Sequence, residues 1–124
     1  MQVPADIRRE LEEHARVQLP NEACGLVAAR DGVAERYLPG RNRAKSPYRF
    51  ELEAGSPADW FLEDEGYELA VFHSHPSSAA RPSRTDIANI GLWEGRPYLI
   101  LSLATGELMG WRVRGGRAEP EPPT

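Results

Sequence analysis

The stretch "YELAVFHSHPSSAARPSRTDI", residues 67–87, joins an apolar run to two histidines and then to a loop rich in proline and serine. Its first part, "YELAVFH", is a short apolar run bounded by turn signals, the pattern of a buried central strand. Residues i and i+2 of a strand share a face and stand roughly 6.5–7 Å apart. His73 and His75 can therefore aim two imidazole rings at one ion from the end of that strand. Pro76 ends the strand, and Ser83-Arg84-Thr85-Asp86 follows with the spacing of a capping box ahead of an apolar helix. A carboxylate in the first turn feels the positive end of the helix dipole, which favours its ionised form. Two imidazoles and one such carboxylate, with one position left open, form the donor set of a catalytic zinc site. On residues alone, a polar strand end followed by a helix cap explains the same stretch, and the two readings are compatible.

Outward from this stretch, "ADIRRELEEHARVQ" (5–18) carries Ile7, Leu11, His14/Ala15 and Gln18 at helical spacing, and Pro20-Asn21 stops the helix. "EACGLVAAR" and "VAERYL" flank Asp31-Gly32, which predicts a β-hairpin. Residues 39–49 read as a loop carrying Arg41, Arg43, Lys45 and Arg49, and "FEL" after it as a short strand. "SPADWFLEDE" predicts a second helix, with Ser56 as cap and Pro57 in the first helical position. "SRTDIANIGLWE" predicts a third helix, ended by Gly95 and Pro97. "YLILSL" and "LMGWRV" read as strands joined through Thr105-Gly106. The expected organisation is one domain over residues 1–114, then a turn, a short edge strand and a frayed tail over 115–124. Strands and helices mix without strict alternation. The fold class is α/β (α+β), a central mixed β-sheet flanked by helices.

The 124 residues carry a formal net charge of −4, with 40% hydrophobic and 27% charged residues, ordinary for a soluble globular domain. That charge gives no reason to expect a broad surface for nucleic acid or anionic membrane. Cys24 is the sole cysteine, so an internal disulfide and a cysteine-rich metal cage are both excluded. No apolar run approaches the roughly 18 residues of a membrane span. The charged "MQVPADIRRELEEH" start lacks a signal-peptide core. The expected location is the cytoplasm. Cys24 reads as a small packed hydrophobe, and Trp60, Trp93 and Trp111 read as packing residues. His14 is expected at the surface or half-buried.

A catalytic metal site needs a proton acceptor for its water. Glu22 in "PNEACGL", at the mouth of the first strand, is the candidate; a solvated glutamate at a strand start is the plainer account of the same position. Ser83 is either an N-cap alone or also a hydroxyl donor to an oxyanion.

Glu22 with "CGL" behind it, then "HSHP", then Ser83 and Asp86 resemble the JAMM (MPN+) metalloprotease family in both order and spacing. The resemblance runs from the first helix through "YLILSL" and includes Asn42 and Phe50. It implies the JAMM/MPN (cytidine-deaminase-like) architecture and one zinc ion per chain, held by His73, His75 and Asp86. It implies Glu22 as general base and later proton donor, and Ser83 as oxyanion donor. It further implies an isopeptidase or peptidase cleaving after the C-terminal Gly-Gly of a ubiquitin-like protein or its conjugates. The segments between motifs are too short for the insertions that eukaryotic members use to select polyubiquitin linkages. The chain is similar to the short prokaryotic members that act on ubiquitin-like sulfur carriers.

Two alternatives stand beside this. The RadC family, associated with nucleic acid, shares a "HxHPS...PS..D" stretch; the acidic charge, "NEACGL" and the lack of an attached helical DNA-binding segment weigh against it. A metal-free MPN scaffold is the other, and it is opposed by the filling of all five polar positions. A zinc deaminase would need a Pro-Cys-x-x-Cys motif, which one cysteine cannot supply.

Overall fold

Ile7, Leu11 and Ala15 recur at helical spacing because they form the buried stripe of α1 (Ala5–Val17). Asp6 in its first turn and His14 and Arg16 in its last complement the helix dipole. This computed structural model describes residues 1–124. The stripe of α1 packs on one face of a sheet, against Val27, Phe72, Leu99 and Leu101.

The sheet has six strands in the order β2-β1-β5-β6-β7-β8. These are β1 (Cys24–Arg30), β2 (Val33–Pro39), β5 (Glu68–His75), β6 (Tyr98–Ser102), β7 (Leu108–Arg114) and β8 (Arg117–Pro120). Only β5 and β6 run parallel; every other pair is antiparallel, so the sheet is mixed as the pattern predicts. A parallel pair needs a crossover. Here residues 76–97 make it, and they carry Ser83 and Asp86 back over the sheet. The face away from α1 is covered by a second apolar layer: Leu26, Leu69, Val71, Tyr98 and Ile100, with Leu62, Ala80 and Trp93 from the connections.

The hairpin between β1 and β2 turns at Asp31 and Gly32, both at positive φ (52° and 78°), the backbone that a two-residue type I′ turn requires. Gly25, in the "CGL" motif, has a different cause. A Cβ there would lie 2.6 Å from the Tyr37 ring and 2.7 Å from the Leu38 carbonyl oxygen, so no larger residue fits.

Four expectations need correction. The second helix, Pro57–Glu65, is a 3-10 helix, although Ser56 caps it as expected and forms a capping box with Asp59. Leu62 is its one buried residue, so little packing holds it in regular α turns. The third helix is α2 (Arg84–Ala88), five residues that stop at Asn89; Gly91, at φ 52°, begins a separate 3-10 turn, Gly91–Trp93. Within the basic loop, β3 (Arg41–Asn42) pairs with β4 (Leu52–Glu53), so the short strand sits slightly later than "FEL". Past β8, which supplies the expected edge strand, the tail is not frayed. The Glu121 N–H donates to the Gly110 carbonyl at 2.7 Å, and Thr124 exchanges backbone hydrogen bonds with Met1 and Val3 at 3.1 and 3.2 Å.

Leu11 is 0% exposed while Val17 on the same helix is 76% exposed. Leu11→Ala is expected to lower unfolding stability by about 2–5 kcal/mol, and Val17→Ala by less than about 0.5 kcal/mol. Urea titration checks both; equal effects would contradict the packing of α1.

Candidate metal centre

The apolar strand β5 fixes the site by alternation. Ala70, Phe72 and Ser74 point to the α1 side, and Leu69, Val71, His73 and His75 to the other. Both histidines are buried, at 0% and 3% exposure, and so is Asp86 at 4%. The three predicted ligands come together. The Nε2 atoms of His73 and His75 lie 3.1 Å apart, and Asp86 Oδ2 lies 3.2 Å from the first and 3.1 Å from the second.

Asp86 is aimed by the start of α2. Its Oδ2 accepts the Ser83 N–H at 3.0 Å, while Ser83 Oγ accepts the Asp86 N–H at 3.0 Å. The capping box is thus formed, and it also points the carboxylate at the histidines. Burial pushes the Asp86 carboxyl up, but hydrogen bonds from His73, His75 and the Ser83 N–H outweigh it and hold the group well below the usual carboxylate range.

His75 Nδ1 lies 2.8 Å from the Ala79 carbonyl oxygen, which can only accept, so Nδ1 carries the proton. In the neutral ring, Nε2 is then a bare lone pair facing a carboxylate oxygen 3.1 Å away. Two acceptors at that distance need a positive charge between them, a proton or a metal cation. This conflict raises the His75 pKa: burial lowers it, but Asp86, the Ala79 carbonyl and Glu22 together win. For His73, burial dominates and lowers the pKa despite Asp86. Its Nδ1 is solvent-inaccessible and has no hydrogen-bond partner in the protein. Ligand atoms 2.0–2.1 Å from a tetrahedral zinc ion stand about 3.3 Å from one another. The 3.1–3.2 Å triangle fits such an ion with little adjustment, and its two-nitrogen, one-oxygen donor set suits zinc.

Glu22 reaches the same place through strand pairing. Cys24 is the antiparallel partner of His73, and Ser74 continues the register by donating its N–H to the Ala23 carbonyl at 3.0 Å. One step further puts Glu22 across from His75, on the face the histidines use. Glu22 is 2% exposed, so it is not a solvated strand-start glutamate. Its Oε1 is buried with no protein partner. Burial pushes its carboxyl up to about 8, with His75 lowering it and Asp86 raising it, so it is electrostatically coupled to the triad.

The residues read as non-functional fall where packing puts them. Cys24 is buried and its thiol is pushed up to about 12 by burial and by Glu22. His14 is half-buried, with Nδ1 2.6 Å from the Tyr37 hydroxyl. Trp93 is buried against Trp60, and the Trp111 Nε1–H donates to the Ala80 carbonyl. In the basic loop, Arg43 pairs with Glu53 and Arg49 with Glu51, at 3.6 and 3.8 Å on the surface.

Asn42 and Phe50 belong to the family resemblance, which implies no role for either. Asn42 is buried and uses its whole side-chain amide. Nδ2 donates to the Glu22 and Arg49 carbonyls, and Oδ1 accepts the N–H groups of Ala44 and Glu51. Phe50 stacks on His73, with ring centroids 4.4 Å apart and planes at 22°. An asparagine inside a basic loop gives no signal of burial, and the stacking is a long-range contact.

A family model described as prokaryotic homologs of the JAB domain matches residues 4–114. The CysO-cysteine peptidase of Mycobacterium tuberculosis is 31% identical over 128 residues, covering 97% of this chain and 87% of that protein. A probable TtuB-protein conjugate cleaving protease of Thermus thermophilus is 38% identical over 102 residues, covering 79% of this chain and 67% of that protein. The crystal structure of a JAB1/MPN domain protein from Archaeoglobus fulgidus superposes with a TM-score of 0.63, covering 99% of this chain and 96% of that one. At 15% identity, that likeness shows the fold alone.

Purified protein is expected to hold about one equivalent of zinc. His73→Ala and His75→Ala should each lose most of it in metal analysis, and full retention in both variants would contradict the site. In the metal-free protein Glu22 favours the protonated, folded form. Its contribution is complete below about pH 4.5 and is lost as pH rises through about 8. The stability of wild type relative to Glu22→Gln, read by denaturant titration, should therefore fall across that window. A difference that is flat with pH would mean that Glu22 is solvated.

Proposed function

We propose that this chain, which belongs to the family of prokaryotic homologs of the JAB domain, is a zinc-dependent peptidase or isopeptidase that cleaves after the C-terminal Gly-Gly of a ubiquitin-like, sulfur-carrier-type protein. The observation that carries this reading is the convergence of His73, His75 and Asp86, with a buried carboxylate across the sheet from His75. The two relatives support the substrate class, since one is named for a CysO-cysteine junction and the other for TtuB-protein conjugates.

His73 Nε2, His75 Nε2 and Asp86 Oδ2 would hold the zinc. When bound, zinc supplies a Lewis acid that polarises the scissile carbonyl and acidifies water. The chain's own groups handle protons and charge. The Glu22 carboxylate accepts a proton from the attacking water as its oxygen bonds to the glycine carbonyl carbon. As the C–N bond breaks, Glu22 returns that proton to the departing nitrogen, giving a glycine carboxylic acid and an amine. The acid's own proton then passes to the amine, leaving carboxylate and ammonium. Burial suits Glu22 to both halves, because a carboxyl near neutral pKa gives up a proton as readily as it takes one. Ser83 Oγ accepts the Asp86 N–H, which leaves its own hydroxyl hydrogen free to donate to the developing oxyanion. The capping and catalytic jobs of Ser83 are therefore held by different parts of one hydroxyl. The Ala79 carbonyl holds the His75 tautomer that presents Nε2.

Glu22→Gln should keep its zinc and lose about 10²-fold or more in turnover. Ser83→Ala should lose roughly 10²–10³ in kcat through the missing donor, besides about 0.5–2 kcal/mol of stability through the missing cap. A destabilised Ser83→Ala enzyme with normal kcat would reduce that residue to its cap.

Substrate choice follows from access. Glycines beside the scissile bond let a backbone approach closely without side-chain clash. Incubation with ubiquitin-like carriers extended past Gly-Gly, followed by intact-mass measurement, should show release of the extension. Replacing the last glycine with leucine should abolish it. Equal cleavage of both forms would leave a peptidase without this specificity.

A further inference from the structure

The two histidine ligands of the proposed centre are held in different ways. A metal-ligating histidine ordinarily donates its second ring nitrogen to a carboxylate, a carbonyl or water, which fixes both tautomer and ring plane. His75 follows this rule through the Ala79 carbonyl at 2.8 Å. His73 does not: its Nδ1 is solvent-inaccessible and meets no partner in the protein. A 0%-exposed imidazole without that bond could still rotate about its own axis or tilt unless its neighbours prevent it. Two aromatic rings do so. Phe50 covers one face, with centroids 4.4 Å apart and planes at 22°, and Tyr98 stands edge-on at 5.2 Å and 68°.

The geometry points to Phe50 as the positioning residue for His73, its ring stacking doing the work that a hydrogen bond does for His75. This rests on the reading of His73 as a metal ligand. In this role Phe50 acts through the imidazole it stacks on.

Its own placement is determined by Asn42. Phe50 lies between Arg49, whose carbonyl accepts from Asn42 Nδ2 at 3.0 Å, and Glu51, whose N–H donates to Asn42 Oδ1 at 3.0 Å. The same amide donates to the Glu22 carbonyl at 3.1 Å. One buried asparagine therefore ties the backbone of the proton acceptor to the two peptide groups that flank the stacking ring. The 42–51 segment, which spans the end of the expected basic loop (39–49) and the start of the expected short strand, is a clamp on the metal site. Tyr98 is fixed independently, in the middle of the sheet, as the partner of Val71 and Trp111.

The test uses the full chain and zinc alone as probe, with affinity read by competition against a chelator. Phe50→Leu keeps an apolar filler but removes the flat face; Phe50→Tyr keeps the face. Phe50→Leu should weaken zinc binding by about 10–100-fold, the usual cost of losing such a support. Phe50→Tyr should restore it to within about 3-fold of wild type, again on that scale. Asn42→Ala, which frees the segment and leaves the ring intact, should shift affinity in the same direction as Phe50→Leu. Unfolding of the metal-free variants separates packing from positioning, because a purely structural residue would lower metal-free stability and leave the zinc affinity of the folded form alone. Wild-type zinc affinity in a folded Phe50→Leu protein, with zinc lost in His73→Ala, would overturn the role of Phe50 and leave the metal site intact. Zinc retained in His73→Ala would overturn both.

Discussion

The antiparallel register of β1 against β5, with Cys24 opposite His73, is the constraint on which the site depends. It puts Glu22 beside His75 although 52 intervening positions separate them along the chain. A slip of one residue would turn His73 and His75 toward α1 and replace them with Phe72 and Ser74. The register is held by what lies on each face. Phe72 is wholly buried under α1, where it meets Tyr37 edge-on, and Val71 is wholly buried on the other side. Gly25 contributes by letting Tyr37 close over β1 where no Cβ would fit. The apolar core thus does more than stabilise the sheet: it decides which face carries the imidazoles.

Burying two imidazoles and two carboxylates in a small domain is costly unless the charges are compensated. The protein arranges compensation locally for Asp86, through the helix start and the Ser83 N–H. It does so for His75 through a backbone carbonyl. Glu22 Oε1 and His73 Nδ1 remain without protein partners, one on the proton-handling group and the other on a ligand. Unsatisfied buried polar atoms are rare in folded proteins and concentrate where function keeps them. Their occurrence at two of the five positions picked out by the motif links the unmade hydrogen bonds to the proposed chemistry. Conventional packing appears elsewhere, in the Asn42 amide with all its bonds made and in Trp111 donating to the Ala80 carbonyl.

Much of this was legible in the sequence because it is written in local periodicity. The apolar run "YELAVFH" marks the strand and the i, i+2 spacing of His73 and His75 marks their shared face. Asp31-Gly32 marks the hairpin, and Ser83 with Asp86 marks both a helix start and a ligand. What could not be read depended on contacts between distant segments. Ser56 and Pro57 announce a helix start but not whether the turns that follow are α or 3-10, which packing decides. Gly91 lies inside the helical pattern of "SRTDIANIGLWE", and its left-handed backbone divides the expected third helix. The C-terminal residues look like a tail by composition, yet their backbone groups find partners on Gly110, Met1 and Val3. Phe50 and Asn42 are legible as positions of the motif, but a stack on His73 has no trace in the residues around Phe50.

The central claim is that His73, His75 and Asp86 are the protein ligands of one zinc ion. X-ray absorption at the zinc edge of the loaded full chain reads that ligand set directly. The account predicts two imidazole nitrogens at about 2.0–2.1 Å and light oxygen donors at about 2.0–2.2 Å, with no sulfur. A sulfur shell at about 2.3 Å, which would bring in Cys24, or a spectrum without imidazole scattering would contradict it.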